Sequence, residues 1–248
     1  MTAGESIDTA SLAGYVPFDE KRQEAYVEAG YWPEMTFHEV IDDHAEETPD
    51  RTALVGPQHE LTYAELAKNS RQIAAYLSGE LGLEPNERVV FQLPNCTEFL
   101  EAFLACSRIG VIPVMVLPRH REAEANHVVD LTDARAYIVD HDRYPNQFDF
   151  VDLANDVREA HDPLDHLIAT TADETSSVED CVSFDSMRDE EWAAAYGDDV
   201  ANINVNPSKP GVMLLSGGTT GLPKAIPRTH NDCLFQWEQM AAAADVST

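Results

Sequence analysis

Leu214-Leu215-Ser216-Gly217-Gly218-Thr219-Thr220-Gly221-Leu222-Pro223-Lys224 packs three glycines, three hydroxyl residues and one lysine into the nine positions that begin at Ser216. It directly follows Val212–Leu215, an apolar run that reads as a strand. Glycines allow tight turns and close approach of backbone to a ligand. Successive backbone N–H groups can cradle an anion, and the Ser and Thr hydroxyls add donors. Lys224 is one of only four lysines, with Lys21, Lys68 and Lys209, and supplies a mobile positive charge. This is the equipment for holding a triphosphate. The plainer alternative is a glycine-rich surface loop with incidental hydroxyls. Neither common nucleotide pattern is met. Gly217 is followed by Gly221 and Pro223 intervenes before Lys224, so the Gly-x4-Gly-Lys-Ser/Thr loop fails, and no GxGxxG occurs.

Upstream of the loop, helical patterns alternate with short continuous apolar runs. A surface helix is expected over Asp19–Ala29, ended by Gly30, and helical spacing recurs through Met35–His44 until Pro49. Ala53–Val55 is a short strand candidate. Thr62 precedes Glu65 by three residues, a capping box that opens a helix carrying Leu66, Ile73 and Leu77. Strands are expected at Arg88–Leu93, Val111–Leu117 and Ala136–Val139, with helices at Thr97–Ile109 and Glu122–Leu131 between them. The stretch His161–Asp199 is acidic and weakly periodic, and reads as one strand around His166–Thr170 amid long solvated loops. Pro207–Gly211 reads as a turn, and Asp232–Ala244 as a helix with Leu234, Trp237 and Met240 on one face. Alternation of this kind gives an α/β fold, a mostly parallel sheet covered by helices.

Composition narrows the function. The chain has 248 residues, with 45 Asp plus Glu against 16 Lys plus Arg and a formal net charge of −29. Such a surface repels nucleic acid, which needs a cationic footprint. A cationic partner and a solvated surface adapted to high salt are the two readings, and screening of self-repulsion favours the second. No apolar run is long enough for a membrane span, and Met1–Asp8 has no signal-peptide pattern, so a cytoplasmic location is expected. Cys96, Cys106, Cys181 and Cys233 match neither a zinc pattern nor a disulfide framework. No metal ligands and no general base are singled out. His230 reads either as an aid to loop order or as a helix-cap or packing residue. The trio Arg119-His120-Arg121 reads as an anion site or, preferably, as a surface loop offsetting local acid.

The loop resembles the phosphate-binding signature of the adenylate-forming superfamily, Ser/Thr-Ser/Gly-Gly-Ser/Thr-Thr-Gly-x-Pro-Lys, with every glycine and hydroxyl position met. Ile226-Pro227-Arg228-Thr229-His230-Asn231-Asp232 is similar to the segment that follows it in the 2,3-dihydroxybenzoate–AMP ligases of siderophore synthesis. Ala225, standing where general members have glycine, departs as that branch does. Tyr31-Trp32, Leu93-Pro94-Asn95 and Gly110-Val111-Ile112-Pro113-Val114 extend the likeness along the chain, while Arg119 departs from it.

The resemblance implies the N-terminal part of the family's large domain. Residues 1–30 would be an extension and 31–248 an incomplete N-terminal domain with its phosphate loop at 214–224, the C-terminal domain being absent. It also implies adenylation of an aromatic carboxylic acid, 2,3-dihydroxybenzoate in this branch, using ATP and Mg2+. The acyl group would then pass to the phosphopantetheine thiol of an aryl carrier protein, or to CoA. Ser216, Gly217, Gly218, Thr219, Thr220, Gly221 and Lys224 would hold the ATP phosphates. An aryl- or acyl-CoA ligase and an inactive truncated remnant are the alternatives, and the fragment alone is expected to be inactive.

Overall fold

A computed structural model describes residues 15–56, 59–143, 148–171, 178–217 and 222–246. Two helices, α1 (Glu20–Glu28) and α2 (Phe37–Glu47), precede a two-stranded antiparallel ribbon of β1 (Thr52–Val55) and β2 (Glu60–Thr62). Helix α3 (Tyr63–Ala75) starts at the expected capping box. The Glu65 amide donates to Thr62 Oγ1 at 3.2 Å, and the Thr62 amide donates to Glu65 Oε2 at 2.8 Å.

The rest is built around one sheet. Its strands are β3 (Arg88–Gln92), β4 (Ile112–Met115), β5 (Ala136–Asp140), β6 (His166–Thr170), β7 (Val182–Ser183), β8 (Pro210–Leu215) and β9 (Ala225–Thr229). Their spatial order is β7-β6-β5-β3-β4-β8-β9, and every neighbouring pair is parallel except β8 with β9. Helices α4 (Thr97–Ile109), α5 (Glu122–Thr132), α6 (Phe150–Ala160), α7 (Glu190–Ala201) and α8 (His230–Ala243), with a π-helical turn at Tyr76–Glu80 and a 3-10 turn at Asp185–Arg188, complete the elements.

The apolar runs are continuous because both sheet faces are covered, and successive residues point to opposite faces. Val89, Phe91, Ile138 and Val212 face one core with Phe37, Ile73, Phe103 and Leu234. Val90, Tyr137, Val139 and Met213 face the other with Val128, Ala154 and Val157. Helix α4 ends at Gly110, which takes φ +68°, a conformation that glycine adopts without strain.

Two expectations are corrected. The acidic stretch 161–199 is not mainly loop, because Glu190 onward forms α7. No residue of that helix is buried, so the apolar stripe that marks a helix in sequence is nearly missing. It rests on its neighbours by Trp192, which meets Tyr76 edge-on at 4.8 Å. Second, Pro210 and Gly211 do not turn; they are the first residues of β8. Proline is tolerated at a strand's first position, and Gly211 leaves the space that the His230 ring occupies. Strands β2, β7 and β9 and helix α6 stand where the sequence patterns predict no element.

Candidate functional site

The parallel strands deliver their following loops to one edge of the sheet, the edge where open α/β sheets bind ligands. Chain order reverses at β3, whose neighbours are β4 and β5. At the end of β3 the buried Gln92 accepts a hydrogen bond from the Tyr137 hydroxyl at 2.5 Å. Its amide nitrogen donates to the carbonyls of Leu117 and His120, each at 3.1 Å, so the turn after β4 is held from the sheet. Strand β4 pairs with β8 through Val114 and Met213, which brings that turn beside the segment leaving β8.

Ser216 and Lys224 stand at the two ends of the loop joining β8 to β9. Met213, Leu214 and Leu215 pair with Pro227, Ile226 and Ala225, so the loop is the tip of an antiparallel hairpin. Its neck is closed twice. The Ser216 amide donates to the Lys224 carbonyl at 2.9 Å, and the Lys224 amide donates to Ser216 Oγ at 2.9 Å. Gly217 is exposed, with open space where a side chain would start. Gly218, Thr219, Thr220 and Gly221 lie outside the described residues. Lys224 is exposed, and among the described residues its ammonium pairs with no carboxylate. In a chain of net charge −29, an uncompensated lysine at a hairpin neck is chemically fitted to an anion.

The flanking residues have structural duties. Arg228 on β9 is bound by Asp232, one turn into α8, and donates to Gln236 at 2.9 Å; the hydrogen bond to Asp232 holds its pKa above the ordinary value. Thr229 caps α8, accepting from the Asp232 amide at 3.0 Å. His230 is 1% exposed. Its Nδ1 accepts from the Phe37 amide at 3.3 Å, and its ring lies 4.2 Å from that of Phe37. Burial, with His38 as the second cause, pushes its pKa down to about 3, so the ring is neutral and packed. In the trio after β4, Arg121 donates to the carbonyls of Pro118 and His120, both at 2.8 Å, and lies 4.2 Å over the Phe148 ring. Burial lowers the pKa of His120.

One contact to the loop had no sequence signal. His127 on α5 approaches the Pro223 carbonyl at 2.8 Å across 96 positions of sequence. Beside the hairpin, Phe99, Phe103, Met115, Val212 and Trp237 line an apolar cavity of about 270 Å³ with Arg228 at its margin. Leu214, Leu222, Ile226, Trp237 and Met240 are exposed. All four cysteines are free, and burial drives Cys96 up to about 12 and Cys233 to about 11, leaving both as inert thiols. Among the described residues no group of His, Cys, Asp and Glu is arranged to hold a metal ion, and no helix is long and apolar enough to cross a membrane.

Known proteins share this arrangement. A salicyl-AMP ligase / salicyl-S-ArCP synthetase of Mycobacterium tuberculosis is 37% identical over 244 residues, which is 95% of this chain and 40% of that protein. A 2,3-dihydroxybenzoate-AMP ligase of Bacillus subtilis is 34% identical over 225 residues, 90% of this chain and 39% of its own. The apo structure of MbtA from Mycobacterium smegmatis matches with a TM-score of 0.75 at 35% identity, covering 92% of this chain and 40% of that one. The chain thus spans about two fifths of the length of these curated relatives. The family of AMP-binding enzymes matches residues 41–247, hairpin included, and the chain belongs to that family, in likeness to its aryl-acid adenylating members.

Proposed function

We propose that this chain supplies the phosphate-holding part of an enzyme that joins an aromatic carboxylic acid to AMP, with 2,3-dihydroxybenzoate as the acid, in siderophore biosynthesis. The observation that carries the proposal is the doubly closed hairpin neck at Ser216 and Lys224, at the ligand-binding edge of the sheet, with the lysine ammonium unpaired among the described residues. The residues between the two necks, Gly217 to Gly221 among them, would offer amides and the Thr219 and Thr220 hydroxyls to the β- and γ-phosphates. Lys224 would offset charge on the departing pyrophosphate. Magnesium would arrive with the ATP.

In the first step a carboxylate oxygen of the acid attacks the α-phosphorus, the bond to the bridging oxygen breaks, and pyrophosphate leaves. No base is needed, because carboxylic acids ionise near pH ~4. The protein's contribution is position and charge. In the second step a thiol gives up its proton and attacks the acyl carbon of the mixed anhydride, and AMP leaves. The carrier-protein thiol is preferred to CoA as acceptor, supported by the relative whose name couples salicyl-AMP ligation to an aryl carrier protein. The need for ATP favours the cytoplasm. The net charge of −29 supports a surface suited to high salt, where screening removes much of the self-repulsion.

ATP–pyrophosphate exchange at high salt tests the reading, with 2,3-dihydroxybenzoate, salicylate and benzoate as acids. It is run on this chain and on a form carried to the length of its relatives, each also as Lys224→Ala. Exchange with dihydroxybenzoate by the longer form, reduced about 10-fold or more by Lys224→Ala, is expected. Exchange with salicylate alone moves the substrate and keeps the chemistry. A folded longer form that is silent with every acid refutes the enzyme reading. Adding carrier protein or CoA to the preformed adenylate separates the two acceptors.

A further inference from the structure

We propose that His127, on α5, is a positioning residue for Lys224: it fixes the lysine's backbone through the Pro223 carbonyl. The inference rests on the phosphate reading of the hairpin for its consequence, and on hydrogen bonds alone for its geometry.

The peptide unit between Pro223 and Lys224 is held at both of its polar ends. Its N–H, on Lys224, donates to Ser216 Oγ at 2.9 Å. Its carbonyl, on Pro223, can only accept, so the imidazole Nε2 at 2.8 Å is the donor. The carbonyl of Lys224 itself accepts from the Ser216 amide at 2.9 Å. The N–H and carbonyl of Lys224 and the carbonyl of Pro223 are therefore all engaged, and proline already restricts the preceding φ. What remains free is the side chain.

Two of these three bonds belong to the hairpin and would move with it. Of the three, only the His127 bond comes from a different element. Helix α5 is well placed to act as that external reference. It is packed against the sheet by the buried Ala125, Val128 and Val129 on either side of His127. It is tied to the end of α6 through Asn126, whose Oδ1 lies 2.9 Å from His161 Nε2. Leu215 and Ala225 pack the base of the hairpin against the core, but such contacts are non-directional and leave the exit peptide free to rotate. Anchoring its exit removes that freedom before ligand arrives, so less ordering is left to oppose binding. The chemistry is undemanding: both neutral imidazole with Nε2–H and imidazolium donate this bond, so any donor of similar reach serves.

The test compares His127→Leu, which cannot donate, with His127→Gln, whose amide can. The first readout is hydrogen exchange at the Lys224 amide in the chain without ligand. The second is ATP affinity by calorimetry in a form carried to the length of its relatives, and the third is the melting temperature. His127→Leu is expected to speed Lys224 exchange and to weaken ATP binding, each about five-fold, with little change in melting. His127→Gln is expected to restore both to within about two-fold. Unchanged Lys224 exchange in His127→Leu overturns the proposal, as does a glutamine variant as impaired as the leucine one. A folded form of its relatives' length that binds no ATP, but whose Lys224 amide still depends on His127, upholds the anchor and refutes the phosphate reading instead.

Discussion

A single methyl group at Gly211 tests whether the hairpin is seated as described. A Cβ built there would lie 2.7 Å from Cε1 of His230 and 2.8 Å from its Nδ1 and Nε2. Carbon contacts are favourable near 3.5–4.0 Å, so one side must yield by about 1 Å. The ring has nowhere to go. It is 1% exposed, it is held by the Phe37 amide at 3.3 Å, and its neighbour Asn231 is bound to Glu34 at 2.9 Å and to Ser208 at 3.2 Å. Overpacking of this kind costs roughly 1–3 kcal/mol. Replacing a strand glycine returns about 0.5–1 kcal/mol through the unfolded chain. Gly211→Ala should therefore destabilise by about 1–2 kcal/mol, or about 2–8 °C in melting temperature for a chain of this size. Urea unfolding followed by tryptophan fluorescence measures it. The decisive arm is the cycle with His230→Ala. That variant is itself costly, since it leaves a void and an unpaired Phe37 amide, but it removes the clash. In its background Gly211→Ala should be neutral or slightly stabilising, a coupling of about 1.5–3 kcal/mol. An equal cost in both backgrounds, or none in the wild type, would refute the packing argument.

Two further expectations concern the buried charges. Burial holds His38 near pKa 4 and His230 near 3, against an ordinary 6.5. As pH falls below 6.5 the unfolded chain takes up these protons and the folded chain does not, so stability fully present above that pH is lost toward pH 4 and 3. The loss should be roughly 2 kcal/mol per strongly buried histidine between pH 6.5 and 5, and His38→Gln should reduce the slope of the urea midpoint against pH, His230 and His120 keeping the remainder; a flat wild-type profile would contradict it. Arg143→Leu should cost about 3–5 kcal/mol, because it strands two carboxylates, Asp140 and Glu98, whose side chains are 1% and 5% exposed. Adding Asp140→Asn and Glu98→Gln should recover part of that, and a single-variant loss below about 1 kcal/mol would show that the network is not holding the loop after β5.

Local rules read well where one element's own residues decide its shape. The capping box at Thr62 and Glu65, the αL glycine at 110 and the continuous apolar strands β3 and β5 needed no partner to be recognised. Helix α7 was illegible for the opposite reason. Its acidic residues are exposed, and its attachment depends on Trp192 and Tyr196 meeting Tyr76 and Gly79 of another element. Strand β9 has an exposed Ile226 and only Thr229 buried, so it lacks the apolar run that marked its neighbours. It is a strand because β8 offers it a ladder.

The site divides the same way. Glycines, hydroxyls and a lysine in one short segment announce an anion-binding loop, because each donor is supplied by its own residue. What sets the aim of that loop is invisible in sequence. Gln92 reads as one more residue of an apolar strand, yet its side chain holds the turn after β4 and receives the Tyr137 hydroxyl. His127 lies in a polar helix with nothing to distinguish it, yet it is the contact from another element that reaches the loop's exit. Both act through backbone carbonyls, which every residue possesses and which leave no mark on composition or spacing. Donors meant for an anion come from glycines that expose their amides, from hydroxyls and from a lysine, and so can be read from sequence. Groups that only hold those donors in place need a neighbour in space, and the fold alone supplies it.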